Sequence, residues 1–358
     1  MITRHTPQIA FLGEEAQQKL SKSSVAIIGL GALGSVAAEL LARAGVNNLI
    51  LVDHDIVELS NLQRQLYTEA DVNKLKVDAI AARLEKISSE IVIKKHALHI
   101  NEKTIEQIKA DAILDCTDNL ETRFIINKHC KQNSIPWVHA AAVGSMGIIL
   151  PINQESESHC FNSVYSNAKM SEFSTGVKPV ENSEHAQESP VILDSALTCG
   201  DQGILNTASF TTASIQVNEA LKILVGKSKK SDSKPSHLIR FNLWSNTFDI
   251  ITVNQNSSCT VCNPTKKESK TNKEKFQFTL SKCTTRAGYS TKPNKNVHLN
   301  LKNIKEHFNT IVETPIVLVI IDNGNEIIVH EFGEILFKTM TDEKKMHAIS
   351  QKIYEVGL

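Results

Sequence analysis

Three glycines, Gly29, Gly31 and Gly34, stand in the stretch GLGALG, and the carboxylate of Asp53 follows 19 residues after the last of them. A G-x-G-x-x-G loop between a strand and a helix brings backbone N–H groups to a phosphate. The first glycine permits the tight turn, the second lets phosphate approach the chain, and the third lets helix and strand pack closely. The phosphate then sits at a helix N-terminus, where unpaired N–H groups and the dipole favour an anion. An acid at the end of the next strand accepts hydrogen bonds from ribose hydroxyls. Gly29, Gly31, Gly34 and Asp53 therefore form a candidate nucleotide-binding set, which by itself does not separate NAD from ATP.

The segment 52–65, VDHDIVELSNLQRQ, separates the two. Asn61, Arg64 and Gln65 stand at i, i+3 and i+4, one face of a helical turn. Arginine offers a fixed fork of donors suited to phosphate. Lys76 adds a second cation at the start of a helix expected over 77–87. Farther on, AILDCTDN at 112–119 reads as an apolar strand ending in Asp115 and Asp118, with Arg123 close behind. An acid at the carboxyl end of a parallel strand faces the ligand crevice. Asp118 is suited to magnesium, a hard cation that takes carboxylate and phosphate oxygens. Each residue alone has a plainer reading: Arg64 as an ion-pair partner, Asp115 as a helix cap, Lys76 as a solvated lysine. Two cations and an acid around one phosphate site point to chemistry on the phosphates of ATP.

The elements that must position these residues follow from periodicity. Residues 24–29 form a continuous apolar run, as in a strand buried on both faces of a parallel sheet. A helix over 35–44 and a strand over 48–52 complete the first βαβ unit. A long helical pattern runs from about 203 to 225. Residues 238–253 read as two antiparallel strands around a turn at 245–247. The stretch 163–198 is rich in Ser, Glu and Asn and poor in pattern, and a connection so long is usually functional or disordered. Residues 264–275 form a charged linker with almost no apolar residue. The remainder, 276–358, reads as a second, small α+β domain. It has strands at 314–321, 326–330 and 333–338, a short helix at 301–308 and a terminal helix at 342–356 with Met346, Ile349, Ile353 and Val356 on one stripe. The expected fold is α/β: a Rossmann-like, doubly wound, mostly parallel sheet with an antiparallel extension over 1–263, followed by the linker and the small domain.

These motifs, together with IPWVHAAAVGSMG and TCGDQGIL, resemble the ThiF/MoeB/HesA family, prokaryotic relatives of ubiquitin-activating enzymes. The resemblance covers about 12–264. It implies that ATP and magnesium are used to adenylylate the C-terminal glycine of a ubiquitin-like or sulfur-carrier protein ending in Gly-Gly. By position, Asp53 resembles the ribose-binding acid, Asn61, Arg64, Gln65 and Lys76 the ATP and phosphate ligands, and Asp118 the magnesium-associated acid. Cys199 matches a cysteine that in similar proteins forms a thioester or persulfide with the carrier, or is dispensable. The 163–198 segment matches the crossover that spans the carrier's tail. Relatives assemble their site across a homodimer.

Two places depart from the family pattern. Similar proteins hold zinc with two C-x-x-C pairs; here Cys259 and Cys262 form one, but the other place has Cys160 and Ser163. Three cysteines with His159 or water could hold the ion, or the site is degenerate. An N-terminal arginine that reaches the partner subunit's ATP is matched by Pro7, with Arg4 as a nearby substitute. That loss leaves open a weakened module that binds a carrier without activating it. A nicotinamide oxidoreductase is the third reading, and it has no need of Arg64, Lys76 and Asp118.

Composition sets outer limits. The 358 residues suffice for two domains, and 39 basic residues balance 39 acidic ones, so no bulk attraction to nucleic acid is expected. No signal peptide is recognised, and no apolar run approaches the ~18 residues of a membrane span. Seven cysteines at irregular spacing do not read as a disulfide framework, and a reducing cytoplasm is expected. Cys116 and Cys130 sit in apolar patterns and are expected to be buried.

Overall fold

The computed structural model describes residues 3–153, 160–165, 203–226, 237–253, 259, 261, 277–282, 288–295 and 297–358. Of the expected crossover over 163–198 only 163–165 are described, at the end of a short helix; the crossover's remainder, the linker, His159, Cys199 and Cys262 lie outside these residues.

The first sheet has eight strands: β1 (Ser24–Ile28), β2 (Asn48–Val52), β3 (Val92–His96), β4 (Ala112–Asp115), β5 (Trp137–Val143), β6 (Met146–Ile152), β7 (His237–Asn242) and β8 (Thr247–Thr252). Their order is β3-β2-β1-β4-β5-β6-β7-β8. The pairs from β3 to β5 are parallel and those from β5 to β8 antiparallel, the mixed sheet that was expected, although β3, β5 and β6 were not read as strands from the sequence. Alternate residues of β1 enter different cores. Val25 and Ile27 pack on one face with α3 (Gly34–Arg43), α4 (Lys76–Ile87) and the long helix at 206–225. Ala26 and Ile28 pack on the other face with Ile126, Trp137 and Phe161. Burial on both faces is why β1 and β2 read as unbroken apolar runs.

Among the described residues this unit also has the helices α1 (Thr6–Leu12), α2 (Glu14–Lys22), α5 (Leu120–Asn133) and α6 (Phe161–Tyr165). The long helix, α7 (Asn206–Val225), begins three residues later than its pattern, because Ile204 is held in a bridge to Gly144. The cap of α5 is Asn119, whose side chain accepts from Thr122 N, and not Asp115, which is fully buried.

The second sheet is antiparallel and has six strands in the order β11-β12-β13-β14-β10-β9. They are β9 (Phe278–Lys282), β10 (Tyr289–Pro293), β11 (Asn309–Glu313), β12 (Val317–Asp322), β13 (Asn325–His330) and β14 (Ile335–Phe337), with helices α8 (Leu301–His307) and α9 (Glu343–Gly357). Sequence reading missed β9, β10 and β11 and began β12 too early. Thr314 is a turn residue: its hydroxyl accepts from Val317 N at 2.8 Å, closing the hairpin between β11 and β12. The edge strand β11 has no buried residue, so no apolar pattern marks it.

This sheet, too, is buried on both faces. Leu318, Ile320, Ile327 and Val329 pack against Met346 and Ile353 of α9. Val317, Val319, Ile328 and Leu336 point the other way and form a cluster with Ile56 and Leu75 of the first unit. Lys338 adds a polar clasp, lying 3.0 Å from Glu58 and 2.7 Å from Glu326. The second unit thus docks on the segment that follows β2.

Candidate nucleotide site

The glycine loop joins β1 to α3. Gly29 has φ +87°, and a Cβ there would lie 2.7 Å from the Cys116 carbonyl oxygen. A Cβ on Gly34 would lie 1.8 Å from the Gly29 carbonyl oxygen, so these two glycines are required by the protein's own packing. Gly31 is different. The nearest atom to a Cβ placed there is Gln65 Nε2, at an ordinary contact distance of 3.8 Å. Packing alone does not demand glycine at 31, whereas a phosphate approaching the backbone does.

The 52–67 segment is stitched to this loop. Asp53, buried at the end of β2, accepts from Leu30 N at 2.6 Å and from Asp55 N at 2.7 Å. Its carboxylate has lone pairs left for ribose hydroxyls. Ser35 Oγ donates to Gly31 O and accepts from Leu66 N. Tyr67 donates its hydroxyl to Leu30 O at 2.8 Å. Burial, reinforced by the charges of Asp53, Asp55 and Asp71, pushes the Tyr67 phenol up, so it remains a donor.

Asn61, Arg64 and Gln65 do lie on a helical turn: Arg64 N and Gln65 N both donate to Asn61 O. Their side chains differ in state. Asn61 Oδ1 accepts from Glu58 N, and Arg64 Nη1 donates to Ser60 O at 2.9 Å. Gln65 is buried beside Gly31, and its Oε1 has no hydrogen-bond partner among the described residues. A buried acceptor left so is costly unless a ligand or water completes it. Lys76 opens α4 and is buried, not solvated; its Nζ lies 2.9 Å from Asp55 Oδ2. Asp55 was not singled out in the sequence, although it stands two residues after Asp53 in the same motif.

The end of β4 forms the opposite wall. Asp115 is fully buried and lies 2.6 Å from His139 Nδ1 and 3.9 Å from Arg123 Nε. Thr117 donates to it through N and Oγ1. Burial raises the Asp115 carboxyl, but the His139 hydrogen bond and the charges of His139 and Arg123 outweigh it and hold the group below the usual carboxylate range. Burial holds the His139 imidazole below its ordinary value, which Asp115 partly offsets. Arg123 also donates to Thr117 O, and Gln216 of α7 donates to Asp115 O. This network fixes the 115–117 backbone against Gly29. Asp118, next along, is exposed, with its carboxylate open to a cation. His139 and Gln216 gave no signal in the sequence because only the fold brings them to Asp115.

Elsewhere, Cys160 and Cys259 are buried and their sulfurs lie 3.6 Å apart. Ser163 Oγ accepts from Cys160 N and donates to Cys160 O, so its hydroxyl is used locally. Cys116 and Cys130 are buried, as expected, and burial pushes both thiols up. Pro7 sits in the first turn of α1, where its missing N–H costs nothing. Arg4 donates to Ile87 O of its own chain at 2.8 Å.

A mixed sheet whose parallel half carries a glycine loop after its first strand and an acid after its second defines an α/β protein of the doubly wound class. The chain belongs to the ThiF family, whose model matches residues 4–261. It is 34% identical over 255 residues to the sulfur carrier protein ThiS adenylyltransferase of Bacillus subtilis, covering 69% of this chain and 66% of that protein. It is 30% identical over 264 residues to the molybdopterin-synthase adenylyltransferase of Escherichia coli, covering 72% of this chain and 95% of the relative. It is 27% identical to the SAMP-activating enzyme E1 of Haloferax volcanii, over 70% of this chain and 84% of that one. The crystal structure of E. coli MccB with ATP superposes with a TM-score of 0.58 at 20% identity, covering 74% of this chain and 75% of that one, which establishes the shared fold. No helix among the described residues is long and apolar enough to cross a membrane.

Proposed function

We propose that this protein adenylylates the C-terminal glycine of a ubiquitin-like or sulfur-carrier protein with ATP. The observation that carries the reading is the joining of the glycine loop to the Arg64–Gln65 turn, with the buried amide of Gln65 beside Gly31 awaiting a partner. The named relatives that cover most of the same residues are adenylyltransferases or an activating enzyme.

The reaction asks for little covalent help. The carrier's C-terminal carboxylate, ionised near neutral pH, attacks the α-phosphorus; the bond to the bridging oxygen breaks, and pyrophosphate leaves. Positioning and neutralisation of charge lower the barrier. Asp53 orients the ribose, Asn61 and Gln65 position the nucleotide, and Arg64 and Lys76 meet the phosphates. Lys76 must exchange part of its contact with Asp55 for phosphate. Asp118 fits magnesium by its exposure and by following Cys116 and Thr117, whose backbone lies against Gly29; bound there, the ion would neutralise charge on the leaving pyrophosphate.

Three finer points belong to the same reading. Cys199 supplies the thiol for any onward thioester or persulfide transfer. Zinc is held by Cys160, Cys259 and Cys262: a tetrahedral ion with ~2.3 Å bonds sets its sulfurs ~3.8 Å apart, close to the 3.6 Å observed for the first two. The protein acts as a homodimer, although Arg4 is engaged within its own chain and Pro7 offers no cation to a partner, which favours a slower reaction than in relatives that keep the arginine.

The test is ATP–pyrophosphate exchange with purified carriers ending in Gly-Gly. Exchange that requires the carrier supports the proposal. Carrier binding without exchange would make the protein a non-catalytic module, and NAD binding in place of ATP would overturn the reading.

A further inference from the structure

Where the second sheet meets the end of β2, three side chains converge that the adenylation reading does not use. One nitrogen each of His54 and His330 and one carboxylate oxygen of Glu334 all lie within 4.8 Å of one another. His54 follows Asp53 at the end of β2. His330 and Glu334 flank the tight turn between β13 and β14, in which Gly333 N donates to His330 O and His330 N donates to Glu334 O. That turn places the second and third donors side by side. His330 is 1% exposed, and the Glu334 and His54 side chains are 16% and 25% exposed. The group is therefore shielded by the interface yet reachable from solvent. His54 also borders a cavity of about 140 Å³ whose lining includes His99, Asn101, Thr104 and Phe332, which leaves room for a water on the His54 side.

We propose that His54, His330 and Glu334 form a binding site for a zinc-class divalent ion that ties the two units together. Two imidazoles and a carboxylate make a donor set for zinc, cobalt or nickel, whereas magnesium and calcium prefer all-oxygen sites. Three protein ligands with a fourth position open to water is an established zinc arrangement. Tetrahedral bonds of ~2.1 Å place donor atoms ~3.4 Å apart, so the side chains close by about an ångström when the ion enters. Lys292, 3.3 Å from Glu334, yields its contact to the ion. Asp55 Oδ1 lies 3.6 Å from His54 Nε2 and 3.8 Å from His330 Nε2, adding negative charge beside the site. Because one ligand comes from the first unit and two from the second, ion binding stabilises the docked arrangement by mass action.

Cobalt(II) titration of the full-length protein tests this, since its spectrum distinguishes nitrogen and oxygen ligands from thiolates. Wild type is expected to bind one cobalt ion without a thiolate-to-cobalt charge-transfer band, and its melting temperature is expected to rise with added metal. Any cobalt held by the cysteines shows that band and is counted apart. His54→Gln, His330→Gln and Glu334→Gln should each weaken the nitrogen- and oxygen-ligated ion at least about tenfold, leaving any thiolate-bound ion unchanged. If the buried His330→Gln variant fails to fold, the other two variants, nearer the surface, decide. Absence of a nitrogen- and oxygen-ligated ion in wild type, or equal affinity in wild type and the folded variants, overturns the proposal. Neither result depends on ATP or a carrier, so the site and the adenylation reading stand or fall separately.

Discussion

Arg64 and Lys76 look interchangeable in the sequence, and the structure separates them. Arg64 lies partly exposed, and among the described residues its guanidinium donates to Ser60 O, a contact that costs little to give up for a phosphate if the proposed function holds. Arg64→Ala is expected to keep the wild-type melting temperature and to lose about 2–4 kcal/mol of transition-state stabilisation, read as a roughly 30- to 1000-fold drop in carrier-dependent exchange. Unchanged exchange would remove Arg64 from the site. Lys76 is 6% exposed and pairs with Asp55, itself 9% exposed. Removing one partner of a buried pair strands the other charge, at about 3–5 kcal/mol. Lys76→Ala should therefore lower both exchange and the urea midpoint, and a variant as stable as wild type would show that Asp55 finds another partner. The motif suggested that both cations face phosphate; only the packing around Asp55 distinguishes the soluble-facing one from the buried one.

The glycine loop, at the scale of elements, is a joint among β1, α3 and the end of β4. A methyl group on Gly34 has no room, because it would sit 1.8 Å from the Gly29 carbonyl oxygen. Gly34→Ala is expected to spread α3 from β1, with loss of ATP binding by calorimetry and a lower melting temperature. The Gly31→Ala variant should fold normally, since its methyl group meets only Gln65 Nε2 at 3.8 Å, and yet bind ATP more weakly. Equal ATP affinity for Gly31→Ala and wild type would mean that phosphate does not approach that backbone. These elements were legible because strand, glycine loop, helix and acid lie in a single short stretch. The hairpin of β12 and β13 was legible too, as the strands expected over 314–321 and 326–330; its turn residues Asn323 and Gly324 both have positive φ. The edge strands β9 and β11 were not, since an edge strand buries too little to leave an apolar pattern.

At the scale of the whole molecule, docking of the second sheet and buried titratable groups govern stability. Leu336 is 3% exposed in the cluster between the units, and Leu336→Ala should cost about 2–5 kcal/mol. An unchanged urea midpoint would argue against that interface. Acid acts through two imidazoles. Burial, aided by His54 and Lys292 and opposed by Asp55, brings His99 down to about 3, and burial also lowers His139. Each therefore binds a proton less readily in the folded protein than in the unfolded chain once the pH is below the ordinary histidine value of ~6.5. From there down to the folded values the unfolded state binds more protons, so stability falls as the pH falls. Asp115, whose folded value is lowered, contributes stability that is lost as the pH falls from the ordinary carboxylate value through the folded one. The urea midpoint at pH 5 should lie below that at pH 7.5, and an equal or higher midpoint would show that folding does not lower the proton affinity of these imidazoles.

The sequence by itself determined the nucleotide loop, the parallel sheet with its antiparallel extension and the family. Those features are written in local periods and short motifs, where neighbours in the chain are neighbours in space. The tertiary structure decided that Asp55 holds Lys76, that Asp115 meets His139 and Gln216, and that Cys160 faces Cys259. It also decided that one face of the second sheet covers the end of β2 and brings His54 to His330 and Glu334. These contacts join residues 21 to more than 270 positions apart, and no local pattern carries them; they exist only once two-sided burial has chosen which surfaces must meet.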